Sequence, residues 1–240
     1  MENNVNSTVG EIVTKDFRTV SVFTEYGIDF CCGGNKTLQK ACEEKAVDVS
    51  ELQKKLDEVT KSSKGNEIDF NSWDLDLLAD YIEKTYHRYI REKMPILLQY
   101  LEKIRDVHGE NHPELKKIYD LFSHSAMDLS MHLQKEERIL FPLIRQLVEA
   151  KNSDQAMELS HCGSIQNPIG AMKEEHLTEG ARFDKISELS HGYAVPLDGC
   201  NTFRAAYELL SEFELNLHKH IHLENNILFP KAIELEQSMH

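Results

Sequence analysis

One eleven-residue segment of this chain occurs twice. His132-Leu-Gln-Lys-Glu136-Glu-Arg-Ile-Leu-Phe-Pro142 returns 88 residues later as His220-Ile-His-Leu-Glu224-Asn-Asn-Ile-Leu-Phe-Pro230. A helix advances about 100° per residue, so the His and Glu of each copy share one face about 6 Å apart along the axis. The echo extends upstream, where His87 and His176 stand 89 residues apart, each one helix before its H-x-x-x-E segment. Such a pattern predicts a duplicated helix pair and therefore four long helices closing into a bundle. A single H-x-x-x-E arises readily by chance on an amphipathic helix. Two copies with matching I-L-F-P tails and paired upstream histidines do not.

The rest of the chain is compatible with an all-α fold. Only 11 Gly and 6 Pro interrupt 240 residues, which favours long helices over short strands. Helical periodicity marks Val9 to Asp16, Arg18 to Tyr26, Thr37 to Lys45 and Val49 to Val59. The polar run Lys61 to Asn66 has no apolar anchor and reads as a linker. The expected organisation is a small helical, cysteine-containing domain over 1–62 and a four-helix bundle over 63–240. Its helices are expected from Asn71 or Ser72 to His108, from Pro113 to about Ala150, from Pro168 to Leu189 and from Thr202 to Glu236. Pro142 and Pro230 each remove a backbone donor and are expected to end or kink their helices.

When two helices bearing H-x-x-x-E face each other, both carboxylates point to the centre. A glutamate there can bridge two metals while imidazoles cap the ends. His87, His132, Glu136, His176, His220 and Glu224 make a set of four imidazoles and two carboxylates that suits iron, and less decisively manganese or zinc. His108 falls 21 residues beyond His87, about six turns, so it reaches the same site only if the helix breaks early. His124, His218 and His222 lack an echo or lie on other faces and read as solvated or as supporting the ligands. His112, His161, His191 and His240 read as loop or tail residues.

Five cysteines without framework spacing, two of them adjacent, argue against structural disulfides and for a reducing compartment. Cys31 and Cys32 lie in Asp29-Phe-Cys-Cys-Gly-Gly-Asn35, a glycine-rich turn ahead of a helix. Two readings stand open. The thiols are accessible and activated by the helix start, fit for metal, nitrosyl or transient sulfur chemistry, or they are small buried apolar groups. Cys42, Cys162 and Cys200 carry no partner pattern. A formal net charge of −14 without a basic patch excludes nucleic acid as a partner. The absence of a long apolar run or of a basic-then-apolar leader predicts a cytoplasmic protein with no membrane partner.

The D-F-C-C-G-G segment at Asp29 to Gly34 and the H-I-H-L-E-N-N-x-L-F-P segment at His220 to Pro230 resemble those of the iron–sulphur cluster repair di-iron proteins, the Repair of Iron Centres family, whose C-terminal domain is hemerythrin-like. The likeness spans nearly the whole chain, except Lys151 to Gln166. It implies a stress-response protein that restores clusters damaged by oxidative or nitrosative stress by donating iron, and that reacts with nitric oxide. The implied cofactor is two non-haem iron ions, oxo- and carboxylate-bridged. The implied ligands are His87, His132, Glu136, His176, His220 and Glu224, with His108 added by the family pattern, which requires the first helix to bend or end early. Implied partners are damaged iron–sulphur proteins, an electron donor, and NO or O2 as small ligands, and family analogy adds a homodimer. The alternatives are a hemerythrin-like O2 or NO carrier, and a di-iron NO reductase or peroxidase. The attached thiol module, for which a gas carrier has no need, favours repair.

Overall fold

The computed structural model describes residues 5–61, 68–153 and 164–239. Among them there is no β-strand, only an isolated antiparallel bridge between Thr8 and Thr37, so the all-α expectation holds. The polar run after Lys61, the turn-rich stretch before Ser164, and His161, Cys162 and His240 lie outside the described residues. The chain divides into two compact units: residues 1–79, 144–166 and 218–240 form the first, and residues 80–143 and 167–217 the second.

In the first unit, α1 (Val9–Lys15), α2 (Val20–Glu25), α3 (Leu38–Lys45) and α4 (Val49–Lys61) follow the sequence periodicity closely. Helix α1 opens with a capping box, in which the Thr8 hydroxyl accepts from the Glu11 amide and the Glu11 carboxylate accepts from the Thr8 amide. Gly10 and Gly34 make the close approach between α1 and the cysteine turn. The Gly10 amide donates to the Gly34 carbonyl at 2.7 Å, and a Cβ on Gly34 would lie 2.7 Å from the Phe30 carbonyl oxygen. Val9, Val13, Phe23, Leu38, Leu52 and Leu56 are buried at the centre of this small core.

The second unit contains α6 (Arg88–His108), α7 (Glu114–Lys135), all but the first residue of α9 (Gln166–Leu189) and most of α10 (Asn201–Leu223). Helix α5 (Leu75–Ile82) precedes α6, and α8 (Phe141–Ser153) and α11 (Phe229–Ser238) continue α7 and α10. Each long helix buries one stripe at alternating three- and four-residue steps. On α6 it is Ile90, Met94, Leu97, Leu101 and Ile104, and on α9 it is Ile169, Met172, His176, Glu179, Phe183 and Ile186. That spacing keeps one face of each helix inward. Phe122, Phe183 and Phe213 interlock at centroid distances of 5.5–6.4 Å and all are fully buried. Each contributes about 1.5–3 kcal/mol of apolar burial.

Three π-helical turns interrupt the helices, at Glu83–His87, Glu136–Leu140 and Glu224–Leu228. Two of them answer the proline expectation. Pro142 and Pro230 neither stop their helices nor follow a break, because the carbonyls their rings would strike, those of residues 138 and 226, sit inside a widened turn. The helices run on as α8 and α11. Each of the three turns holds a candidate ligand: His87, Glu136 or Glu224.

Candidate metal centre

Four of the predicted ligands gather in the core of the second unit. The stripe of α7 runs Leu115, Ile118, Phe122, Leu129, His132 and ends on Glu136 in the π turn, so both donors take positions an apolar residue would fill. His87, His132, Glu136 and His176 are all at least 97% buried. Glu136 Oε2 lies 3.4 Å from His87 Nε2 and 3.3 Å from His132 Nε2, and His176 Nε2 lies 3.1 Å from His132 Nε2.

The outward nitrogens of two of these rings fix their orientation. His87 Nδ1 donates to Glu137 Oε1 at 2.8 Å, and His132 Nδ1 donates to Glu175 Oε2 at 2.9 Å. With the proton held at Nδ1, each Nε2 presents a lone pair inward. Two imidazole lone pairs and a carboxylate, all electron donors, therefore converge within about one ligand-to-ligand distance, a buried arrangement that a cation satisfies. His132, Glu136 and His176 offer ligand atoms within 4.8 Å of one another, as do His87 and Glu136. The donor set fits a metal ion.

The supporting carboxylates are anchored in turn. Arg91 pairs with Glu137 at 2.7 Å and Lys135 with Glu175 at 2.5 Å. Burial opposes the charge on Glu137, but His87 and Arg91 outweigh it and hold the carboxyl down at about 2. Hydrogen bonding from His132, joined by Lys135 and opposed by partial burial, holds Glu175 at about 2. One turn past His176, the buried Glu179 accepts from the Ser125 hydroxyl and from Arg182, which also reaches Asp128 at 2.6 Å. Burial pushes the Glu179 carboxyl up. Nothing in the repeat points to these partners: Glu137 has Asn225 as its counterpart, so the echo that exposed Glu136 misses it.

In the first unit, His220 and Glu224 repeat the i, i+4 arrangement, both fully buried, with Nε2 3.1 Å from Oε1. Of its two readings, solvated or supporting the ligands, His222 does not take the first. It is fully buried, its Nδ1 donates to the Phe30 carbonyl at 3.2 Å, and it packs against Phe17 and Phe30. Burial pushes its pKa down to about 4. Phe30 also meets the edge of His218, and the Asn226 amide reaches the Phe30 and Cys31 carbonyls at 3.4 Å. His124 is exposed, as expected.

His108 is not brought to His87, His132 and His176. Helix α6 runs unbroken from Arg88 to His108, which puts His108 about 30 Å of axis beyond His87. The early bend that the family resemblance required does not occur, because the α6 stripe stays apolar and in register to Ile104. His108 instead meets Cys200.

The cysteine turn also differs from one of its two readings. Cys31 is buried and Cys32 half-buried, with their sulfurs 3.7 Å apart and unbridged. Asp29 shapes the turn, its carboxylate accepting from the amides of Cys31, Cys32 and Gly33 at 2.7–3.0 Å. Burial, with Cys32 and Asp29 beside it, pushes the Cys31 thiol up rather than down.

A bundle whose buried stripes end in His and Glu donors is the architecture of a hemerythrin-type cation-binding domain, and residues 78–232 match the family model of the hemerythrin HHE cation-binding domain. Residues 5–60 match a domain of unknown function, DUF542. Iron-sulfur cluster repair protein ScdA of Staphylococcus haemolyticus is 33% identical over 225 residues, 94% of this chain and 97% of its own length. YtfE, the iron-sulfur cluster repair protein of Pectobacterium carotovorum, is 34% identical over 234 residues, covering 96% and 98%. A probable iron-sulfur cluster repair protein of Haemophilus influenzae is 33% identical over 220 residues, covering 88% and 90%. The chain belongs to this family of iron–sulfur cluster repair proteins. No helix among the described residues is long and apolar enough to cross a membrane.

Proposed function

We propose that this protein repairs damaged iron–sulfur clusters and does so by donating iron from a dinuclear site that His87, His132, Glu136, His176, His220 and Glu224 would hold. The observation that supports the metal site is the convergence of the His87, His132 and His176 Nε2 atoms about the buried Glu136 carboxylate. Joining the His220–Glu224 pair to it rests on sequence: the two copies of H-x-x-x-E are equivalent, and one cation-binding family model spans both. The names of the relatives support cluster repair as the role.

Bound iron supplies a redox-active cation whose hold on its ligands changes with oxidation state. The chain's own part is to hold and to release. Glu137 and Glu175 accept from Nδ1 of His87 and His132, which orients each ring with Nε2 toward the site. Among the described residues the donors gathered at the site are imidazoles and carboxylates, and these bind ferrous iron less tightly than thiolates hold softer ions, a donor choice consistent with giving iron up. The segment around Cys31 and Cys32 is the part of the chain assigned to the client, as a docking or receiving group.

The test loads the full-length protein with ferrous iron and mixes it with an iron-depleted cluster protein and a sulfide source, following the iron and the cluster absorbance together. Donation predicts that iron moves and that the cluster forms faster than with the same amount of free iron. Iron that stays on the bundle while O2 or NO changes its spectrum would make this a gas-binding or gas-reducing protein and overturn the proposal. Replacing Cys31 and Cys32 with Ser is expected to impair transfer and leave the iron spectrum unchanged.

A further inference from the structure

The second unit carries a Cys–His pair that the metal site does not use. Cys200 is exposed and stands immediately before α10, and His108 is the last residue of α6. Their side chains, 92 residues apart in sequence, meet with His108 Nε2 3.3 Å from Cys200 Sγ. The pair sits between two helix ends of opposite polarity. His108 stands at the C-terminal end of α6, and the N-terminal end of α10 directs backbone amides at the sulfur.

The surroundings hold the two groups in place. The His108 ring packs edge-on against Phe203 at 5.4 Å. His112, between α6 and α7, packs against the same ring at 5.6 Å. His112 also engages the charged groups nearest the thiol, with Nε2 3.0 Å from Asp198 on the loop before α10 and Nδ1 3.1 Å from Glu114 at the start of α7. Hydrogen bonding to His112 lowers the Asp198 carboxyl, and hydrogen bonding to Asp198 raises His112. The carboxylate two residues from Cys200 is thus engaged by His112 instead of opposing a thiolate. A nucleophile in contact with a base that a third contact orients is the arrangement of an activated thiol.

We propose that Cys200 is a nucleophilic thiol, activated by His108, that undergoes exchange with low-molecular-weight disulfides and so carries a reversible mixed disulfide. The Cys200 proton passes to His108 Nε2 and the thiolate attacks one sulfur of the disulfide. The bond from Cys200 Sγ to that sulfur forms, the disulfide's own S–S bond breaks, and the second half leaves as a thiolate with the electron pair. Cys200 is oxidised, the departing half is reduced, and His108 holds the proton that the leaving thiolate can take. Hydrogen bonding from His108, aided by the amides of Phe203 and Thr202, lowers the Cys200 thiol to about 7, which agrees with the geometry.

The experiment exposes the full-length protein to glutathione disulfide from pH 5.5 to 9.5 and follows the adduct at each cysteine by peptide mass spectrometry. Wild-type Cys200 is expected to react with a midpoint near pH 7. An ordinary thiol near 8.5 is only about 3% thiolate at pH 7, and because a less basic thiolate is also a weaker nucleophile the net gain there is about threefold. His108→Ala and the bulkier His108→Gln should both raise the midpoint by more than about half a pH unit, slow the reaction at pH 7, and speed it at pH 9. That crossing of the rate profiles is not expected of a purely structural role. A wild-type midpoint in the ordinary thiol range, or profiles of both variants that superimpose on the wild type, overturns the proposal.

Discussion

Glu137→Gln isolates the contribution of a supporting carboxylate without removing a ligand. Glu137 takes the proton of His87 Nδ1 at 2.8 Å and pairs with Arg91 at 2.7 Å. The amide of a glutamine can still accept one hydrogen bond but loses the charge that both partners use. The interval from an ordinary glutamate near 4.3 down to about 2 corresponds to about 3 kcal/mol for a fully shielded group. The Glu137 side chain is 20% exposed, and solvent screening reduces this to about 1–1.5 kcal/mol. The sign follows from the depressed value: the contribution is complete above about pH 5 and disappears as pH falls through 4 toward 2. Urea unfolding of the metal-free protein should therefore show Glu137→Gln less stable by about 1–1.5 kcal/mol at pH 7, with the gap closing at pH 3. Chelator competition should show iron held about 10–100-fold more weakly, because the His87 ring and its tautomer are no longer fixed. A stability gap that persists unchanged at pH 3, together with unaltered iron affinity, would falsify this account of Glu137.

Three further outcomes can be measured directly. His176→Ala should lower iron affinity by at least tenfold in the same chelator assay, while His108→Ala, altered at the far end of α6, should leave it within about twofold of wild type. Phe213→Ala should cost about 3–5 kcal/mol in urea or thermal unfolding, since Phe122 and Phe183 both pack on that ring. Gly34→Ala should destabilise the protein by about 1–3 kcal/mol, since its methyl would meet the Phe30 carbonyl at 2.7 Å.

The sequence by itself determined the helices and the facing His–Glu pairs, because both are written in local spacing. Apolar residues three and four apart define a buried stripe whatever packs on it, and α6, α7, α9 and α10 follow those stripes to within a few residues. His and Glu at i, i+4 share a face by helix geometry alone, and the repeat singled out four of the 12 histidines. The two prolines were legible only in part. A single sequence shows the missing donor but not the π turn that absorbs it.

Only the tertiary structure decided which long-range neighbours each group meets. Glu137 reaches His87 across 50 residues, Glu175 reaches His132 across 43, and Ser125 reaches Glu179 across 54. None of these has a periodic signature, because a charge that looks solvent-facing on one helix becomes a hydrogen-bond partner once another helix lies against it. Phe30 lies 192 residues from His222, yet its carbonyl meets that histidine in a buried contact. Cys31 is closed off by the same kind of packing, and its thiol moves opposite to what a helix start alone would dictate. Cys200, with no partner pattern in the sequence, acquires a histidine because the end of one helix is placed beside the beginning of another. Helical periodicity is encoded within a few residues, whereas burial and charge pairing belong to the surfaces that folding brings together.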